Sequence, residues 1–238
     1  MTAPPNGVTS GLSEIVPIIE RNTLGEQVYQ QLREMLIAGQ FSPGETVTLR
    51  SLASAIGTSA MPVRDALRQL MVDQAIELLP NRTFRVPLMN RDRFIELRDI
   101  RIVLEGMLAE RAAQSITPNQ LKQVTHWSER FNRECDSEKP DPAKLVLYNK
   151  NFHFAVYEAA RMPVLYQMIE GLWTQIGPVL NFDVRSGSER IIRKIPCQHH
   201  GKLCTALAES KPASARAALG ADINAAADYI LGQNKLAG

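Results

Sequence analysis

Apolar residues return every three or four positions along most of the chain, and the rhythm breaks at a few points marked by Gly and Pro. Leu24, Val28, Leu32, Met35 and Leu36 form one helical stripe. Gly39 ends that helix, and Phe41-Ser42-Pro43-Gly44 makes a tight turn. A short helix follows from about Leu49 to Ile56, with Leu49, Leu52, Ala53 and Ile56 inward and Gly57 as its left-handed stop. A third helix starts near Ser59, a suitable N-cap, and tolerates Pro62 in its first turn. Val63, Ala66, Leu67, Leu70 and Met71 are its buried side. The β-prone runs Ile76–Leu79 and Phe84–Val86 flank Pro80-Asn81-Arg82-Thr83 and predict a hairpin. Helix, short helix, glycine turn, helix, hairpin is the order of a winged helix-turn-helix.

Beyond the hairpin the periodicity predicts helices only, over about 92–115, 118–137, 143–161, 164–184, 188–209 and 213–232. Pro118, Pro140, Pro142, Pro163, the Ser-Gly-Ser stretch at 186–188 and Pro212 separate them. The expected fold is mainly α: an N-terminal winged helix-turn-helix plus a C-terminal all-α bundle of six or seven helices. The expected organisation is a flexible arm at 1–20, rich in Pro, Gly, Ser, Thr and Asn. A winged domain at 21–87, a linker at 88–91 and a helical domain at 92–238 follow.

Composition adds exclusions. The 238 residues suffice for two cores, and 45% hydrophobic with 22% charged residues is ordinary for a globular chain. No apolar run reaches the ~18 residues of a membrane span. The first residues lack the basic start and apolar stretch of a signal peptide, so a cytoplasmic location is expected, without membrane partners. Three cysteines without a CxxC pair argue against a disulfide framework. No HExxH, no Ser/His/Asp order and no phosphate-binding glycine loop is present, so no catalytic residue is assigned and the chain reads as a non-enzyme.

A net charge of +2 does not diagnose a nucleic-acid partner, but the placement of charge does. Between Arg50 and Arg91 there are six arginines against three acids. Ser59, Arg64 and Arg68 lie on the exposed face of the third helix, the one that enters the major groove in this motif. Arg matches the guanine O6/N7 edge. Arg50 opens the second helix, and Arg82 and Arg85 sit on the hairpin, suited to phosphates or the minor groove.

The bundle places polar residues where its periodicity asks for apolar ones. Arg101 lies among Phe94, Leu97, Leu104 and Leu108, and a desolvated guanidinium needs an anionic partner. That partner is either an internal acid such as Glu105 or a bound carboxylate. Asn149 and His153, four apart, point at one spot; His200 keeps step with Leu203 and Leu207; Asp222 is bracketed by Leu219, Ile223 and Ala226. Imidazole and carboxylate are ordinary ligands of Zn²⁺ and other divalent metals. A rival trio, Cys197, His200 and Cys204, shares one helix face. Tyr148, Trp173, Asn181 and Arg185 are candidate lining residues of an adjoining pocket.

The spacing Gly39-x-x-x-Pro43-Gly44, Leu49-x-x-Leu52-Ala53-x-x-Ile56-Gly57-x-Ser59, Pro62-Val63-Arg64-Asp65-Ala66-Leu67-x-x-Leu70 resembles the DNA-binding domain of the GntR superfamily. Arg101-x-x-Leu104-Glu105, Asn149-x-x-Phe152-His153 and His200-x-x-Leu203-x-x-Ala206-Leu207 resemble the FCD ligand-sensing domain of its FadR branch. The resemblance implies a homodimer on palindromic double-stranded DNA, with Arg50 and Arg64 as main contacts. It also implies a repressor released by a small organic acid that Arg101 and a divalent metal, zinc in many cases, hold by its carboxylate. The metal set would be Asn149, His153, His200 and Asp222. The alternative is a regulator for which the metal itself is the signal. Ala60 replaces the family's usual arginine, Thr83 its wing-tip glycine, Met162 its usual asparagine, Asn149 its aspartate and Asp222 its third histidine.

Overall fold

The computed structural model describes residues 23–185, 189–233 and 236–237; the expected arm at 1–20 lies outside them. Ten helices and three two-residue strands occur among the described residues. α1 (Leu24–Ile37) is capped by Thr23, whose hydroxyl accepts from the Glu26 amide. After β1 (Thr46–Val47), α2 (Leu49–Ile56) opens on a reciprocal Thr48/Ser51 capping box and closes at Gly57. α3 (Ala60–Val72) starts at Ser59, then β2 (Glu77–Leu78) and β3 (Phe84–Arg85) form the hairpin.

β3 is central, with β1 and β2 antiparallel on either side. The β1 strand was not expected: two residues are too few to show an alternation. Val28, Leu32, Leu36, Val63, Leu67 and Phe84 anchor one core beneath this unit.

Seven helices follow, as the bundle required: α4 (Arg91–Ser115), α5 (Pro118–Cys135), α6 (Pro142–Ala159), α7 (Pro163–Arg185), α8 (Glu189–Ile192), α9 (Ile195–Ala208) and α10 (Pro212–Gly232). Four of them begin on proline, which fits the first helical position because its missing N–H would be unpaired there anyway. The single helix expected over 188–209 is two, α8 and α9. Lys194 between them is left-handed at φ 54°, and Pro196 cannot donate back into the preceding turn. α10 packs along α4, α5 on α6, and α7 against α4, α6 and α1. No helix among the described residues is long and apolar enough to cross a membrane.

The two halves meet where α1 ends. Leu32 and Leu36 belong to the first core, whereas Ile37, fully buried, belongs to the core of the bundle. A Cβ on Gly177 of α7 would lie 2.7 Å from Ile37 Cα and 2.8 Å from the Leu36 oxygen, so only glycine lets the two helices touch here. Gly39, at φ +60°, would carry its Cβ 2.6 Å from that of Asn181. Arg33 adds an ion pair to Glu170 at 3.0 Å.

This fit makes a prediction. Gly177→Ala should destabilise the chain by about 1–3 kcal/mol, the usual penalty for overpacking, and expose residues 37–42 to protease. Urea unfolding and limited proteolysis check it; an unchanged midpoint would mean the helices part freely.

Candidate functional site

Two regions carry the predicted site residues. On the N-terminal unit, Arg50, Ser59, Arg64, Arg68 and Arg82 are exposed. The Ser59 hydroxyl makes no capping bond, so it is free to face outward at the head of α3. Arg64 and Arg68 stand one turn apart on α3, and Arg68 makes only a loose 3.8 Å contact with Asp65. Arg85 differs: its Nε donates to Glu77 Oε1 at 2.7 Å across the strands, which ties up part of its charge. The hairpin tip is built without glycine. Leu79 O accepts from Arg82 N, Asn81 Oδ1 accepts from Thr83 N, and the left-handed residue is Arg82 at φ 60°.

The second region lies inside the bundle. Arg101 (α4), Asn149 and His153 (α6), Trp173 and Asn181 (α7), Arg190 (α8) and Asp222 (α10) line one cavity of about 30 Å³. That is room for an ion with one or two waters. His200 of α9 completes the polar group: one ligand atom from each of His153, His200 and Asp222 lies within 4.8 Å of the others, and all three residues are buried. Asn149 stands on the same cavity wall, one turn before His153.

A hydrogen-bond chain sets the His153 ring. Glu105, fully buried, accepts from Arg101 Nε at 2.5 Å, from Trp173 Nε1 at 3.2 Å and from the Tyr157 hydroxyl. Burial first, then the Glu105 charge, pushes the Tyr157 pKa well above its ordinary value, so the phenol keeps its proton. That proton goes to Glu105, and the Tyr157 oxygen therefore accepts from His153 Nδ1, 3.2 Å away. Nε2 of His153 then faces Asp222 Oδ2 at 3.1 Å. An imidazole nitrogen and a carboxylate oxygen at that distance are placed for one cation to bridge them.

His200 Nε2 stands 3.9 Å from the same Oδ2, and its ring stacks on Phe152 with centroids 3.9 Å apart. Among the described residues, neither His200 nitrogen nor Asp222 Oδ1 has a hydrogen-bond partner. Burial pushes the His200 pKa down to about 3 against the pull of Asp222, so the ring is neutral and its lone pair available. Burial alone would raise Asp222; the His153 contact, the neighbouring imidazoles and the Arg190 guanidinium outweigh it and hold the carboxyl below the usual range. Two orphaned acceptors beside an oriented imidazole fit a divalent cation, and the Glu105–Tyr157–His153 chain is the outer support such ligands use.

Several sequence expectations need correction. Arg101 does reach the cavity, but its guanidinium is engaged by Glu105 and stacked 5.0 Å from the Trp173 ring centre. Tyr148 does not line the cavity; it turns to α5, where its hydroxyl accepts from Arg130 and its ring meets Trp127. The Arg185 side chain lies outside the described residues. The Cys197/His200/Cys204 trio does not converge, since His200 turns to Asp222, Cys197 to Cys135 and Cys204 to Ser128. Sequence reasoning missed Arg190, whose four-residue helix is too short to show a period.

Comparison with known proteins agrees with this two-part layout. The profile of "Bacterial regulatory proteins, gntR family" matches residues 24–86, and that of the FCD domain matches residues 96–225. The regulator McbR of Escherichia coli K12 is 33% identical over 156 residues, spanning 66% of this chain and 70% of that protein. The E. coli repressor GlaR is 24% identical over 147 residues, spanning 61% and 67%. The solved structure of E. coli McbR/YncC superposes with TM-score 0.81 at 26% identity, over 89% of this chain and 98% of that one. A Rhodococcus structure described as a putative transcriptional regulator shares the fold, with TM-score 0.71 at 20% identity over 89% of this chain and 99% of its own. These relatives are named as transcription regulators rather than enzymes. With both halves matched in order and a relative one-third identical, the chain belongs to the GntR family: it is a DNA-binding transcription regulator with an FCD ligand-binding domain.

Proposed function

We propose that the chain is a cytoplasmic homodimeric repressor, released from a palindromic operator by a small organic acid bound beside a divalent metal. In this reading residues 21–87 read DNA, 88–91 link, and 92–238 sense. The observation that carries it is the buried group of His153, His200 and Asp222, with two His200 nitrogens and one Asp222 oxygen unpartnered. These three would hold the metal, zinc in the first instance, with Asn149 as a neutral fourth donor. When bound, the metal would supply positive charge beside Asp222 and a position for an acid's oxygen. Arg190 and Arg101 line the same space and add positive charge toward an anionic ligand. Two relatives named as repressors, GlaR and RspR, support the sign of regulation. Ile100, Val103 and Met107, exposed along α4, give a second copy an apolar face to cover.

Asn181 supports a route between the sites. It lines the cavity, and its Nδ2 donates to the carbonyl of Ile37 at the end of α1. The DNA contacts in this reading are Arg50, Ser59, Arg64 and Arg68 on base edges and phosphates, with Arg82 on the backbone beside the hairpin and Arg85 the weaker partner. A second reading, in which the metal itself is the signal, draws on the same three ligands, since they are complete without an organic molecule; DNA affinity that responds to zinc alone would favour it.

Three measurements test this reading. Chelator-treated protein given Zn²⁺ at 100 times its dissociation constant should gain about 2.7 kcal/mol of stability. His200→Ala and Asp222→Asn should lose that gain; a gain kept in both variants would put the metal elsewhere.

The metal-free protein should weaken in acid. His200 is depressed to about 3 in the fold, so below about pH 6.5 the unfolded chain binds a proton that the native state refuses. Stability then falls as pH falls, by up to about 1.4 kcal/mol per pH unit between roughly pH 6.5 and 3. His200→Leu should flatten that slope, while the Asp222 contribution enters only toward the acid end of that window. Equal slopes in both proteins would show that His200 accepts its proton without penalty.

On DNA selected from random duplexes, Arg64→Ala should cost about 1–3 kcal/mol and relax base preference at its position. Arg82→Ala should weaken all sequences alike and lower the salt slope by about 1. An unchanged base preference in Arg64→Ala would remove α3 as the reader.

A further inference from the structure

Two of the three cysteines share one apolar cluster of the bundle. Cys135 is the last residue of α5 and Cys197 lies in the first turn of α9. Both side chains pack on the same cluster of Phe131, Leu145, Tyr148 and Ile191, close enough for each thiol to act on the other's charge. An ion pair between Asp136 and Lys194, the next residue after Cys135 and the cap of α9, ties the same two helix ends together. Neither cysteine is fully buried, so a small oxidant can reach them. Nothing in the DNA-reading or ligand-sensing chemistry uses them.

We propose that Cys135 and Cys197 are a redox pair, closed to a disulfide by a hydroperoxide and reopened by a dithiol. The two thiols differ in the way such a pair requires. Cys197 stands in the first turn of α9, where the helix N-terminus favours a thiolate; the Cys135 thiol lowers its pKa, with burial and the Asp136 carboxylate opposing. Cys135 ends α5, where the helix C-terminus disfavours a thiolate, and the Cys197 thiol and burial raise its pKa. Cys197 is therefore the attacking thiol and Cys135 the resolving one.

The chemistry closes. The Cys197 thiolate attacks one peroxide oxygen, the O–O bond breaks, and hydroxide leaves to take up a proton as water, giving a sulfenic acid. Cys135 sulfur then attacks Cys197 sulfur; the S–O bond breaks, and the hydroxyl leaves as a second water with the Cys135 proton. Two thiols lose two electrons and hydrogen peroxide gains them. Cys204 is set apart by its bond with Ser128 and serves as the internal control.

The bond would pin the start of α9 to the end of α5. α8 immediately precedes α9, with Ile191 on the thiol cluster and Arg190 on the ligand cavity. Oxidation would thus fix the corner that carries Arg190.

The test uses the full chain, reduced, desalted and treated with a small excess of hydrogen peroxide before quenching with catalase. The expected result is that titratable thiols fall from three to one and that the intact mass drops by two hydrogen atoms. A non-reducing peptide map should link Cys135 to Cys197, and dithiothreitol should restore all three thiols. Cys204→Ser should form the same link, and Cys135→Ser should stop at a Cys197 sulfenic acid that dimedone traps. Three surviving thiols, a link through Cys204, or a cross-link between two chains would overturn the proposal.

Discussion

Burying two carboxylates in one helical interior is the constraint on which the sensing half depends. Glu105 and Asp222 both lie among aliphatic and aromatic side chains, where an unpaired charge costs several kcal/mol. Glu105 is satisfied within the chain, by a guanidinium, an indole and a phenol from three different helices. That bond set positions Arg101, Trp173 and Tyr157 at once, and through Tyr157 it orients His153. Asp222 is satisfied only in part: one oxygen faces two imidazoles and the other has no partner. The asymmetry separates a structural acid from a ligand-seeking one. The first fixes the walls, and the second faces the cavity beside His153 and Arg190.

Most of the fold was legible because its signals are local. Prolines at helix starts, Gly39, Gly57 and the stripes on α1, α3 and α4 each act over one or two turns. What escaped was short or non-local. β1 is two residues long, and its pairing to β3 depends on a strand some forty positions away. The break at Lys194 comes from one left-handed residue, for which Pro196 was the only visible sign.

The site was legible to the same degree. Asn149 and His153, four apart, differ by about 40° around a helix, so both reach the cavity wall. Tyr148 and His153 differ by about 140°, which turns Tyr148 to α5. His200 rather than His199 turns inward because Leu203 and Leu207 fix the register. Arg101 was visible as a buried charge, but spacing alone could not decide between Glu105 and a bound acid; four residues of helix rise put Glu105 within reach first. Arg190 gave no period at all, and only the tertiary fold places it beside Asp222.

The junction between the halves offers a path by which so small a cavity would bear on DNA binding. α7 has Trp173 and Asn181 on the cavity, two turns apart, with Gly177 and Pro178 between them. Pro178 has no N–H to give the Thr174 carbonyl, so α7 bends most easily at that point. At the same level Gly177 and Gly39 hold α1 at a distance with no room for a methyl group. A helix in such contact cannot be displaced by small degrees; it either keeps its seat or shifts to another. A ligand that prefers one bend of α7 by the usual 1–3 kcal/mol of allosteric coupling would therefore act on α1 through atoms already in contact. α1 packs directly on α3, the helix that carries Arg64 and Arg68. The distance from Asp222 to the exposed face of α3 is thus crossed by two helices and one glycine-bounded contact, and a signal along it would need no flexible linker.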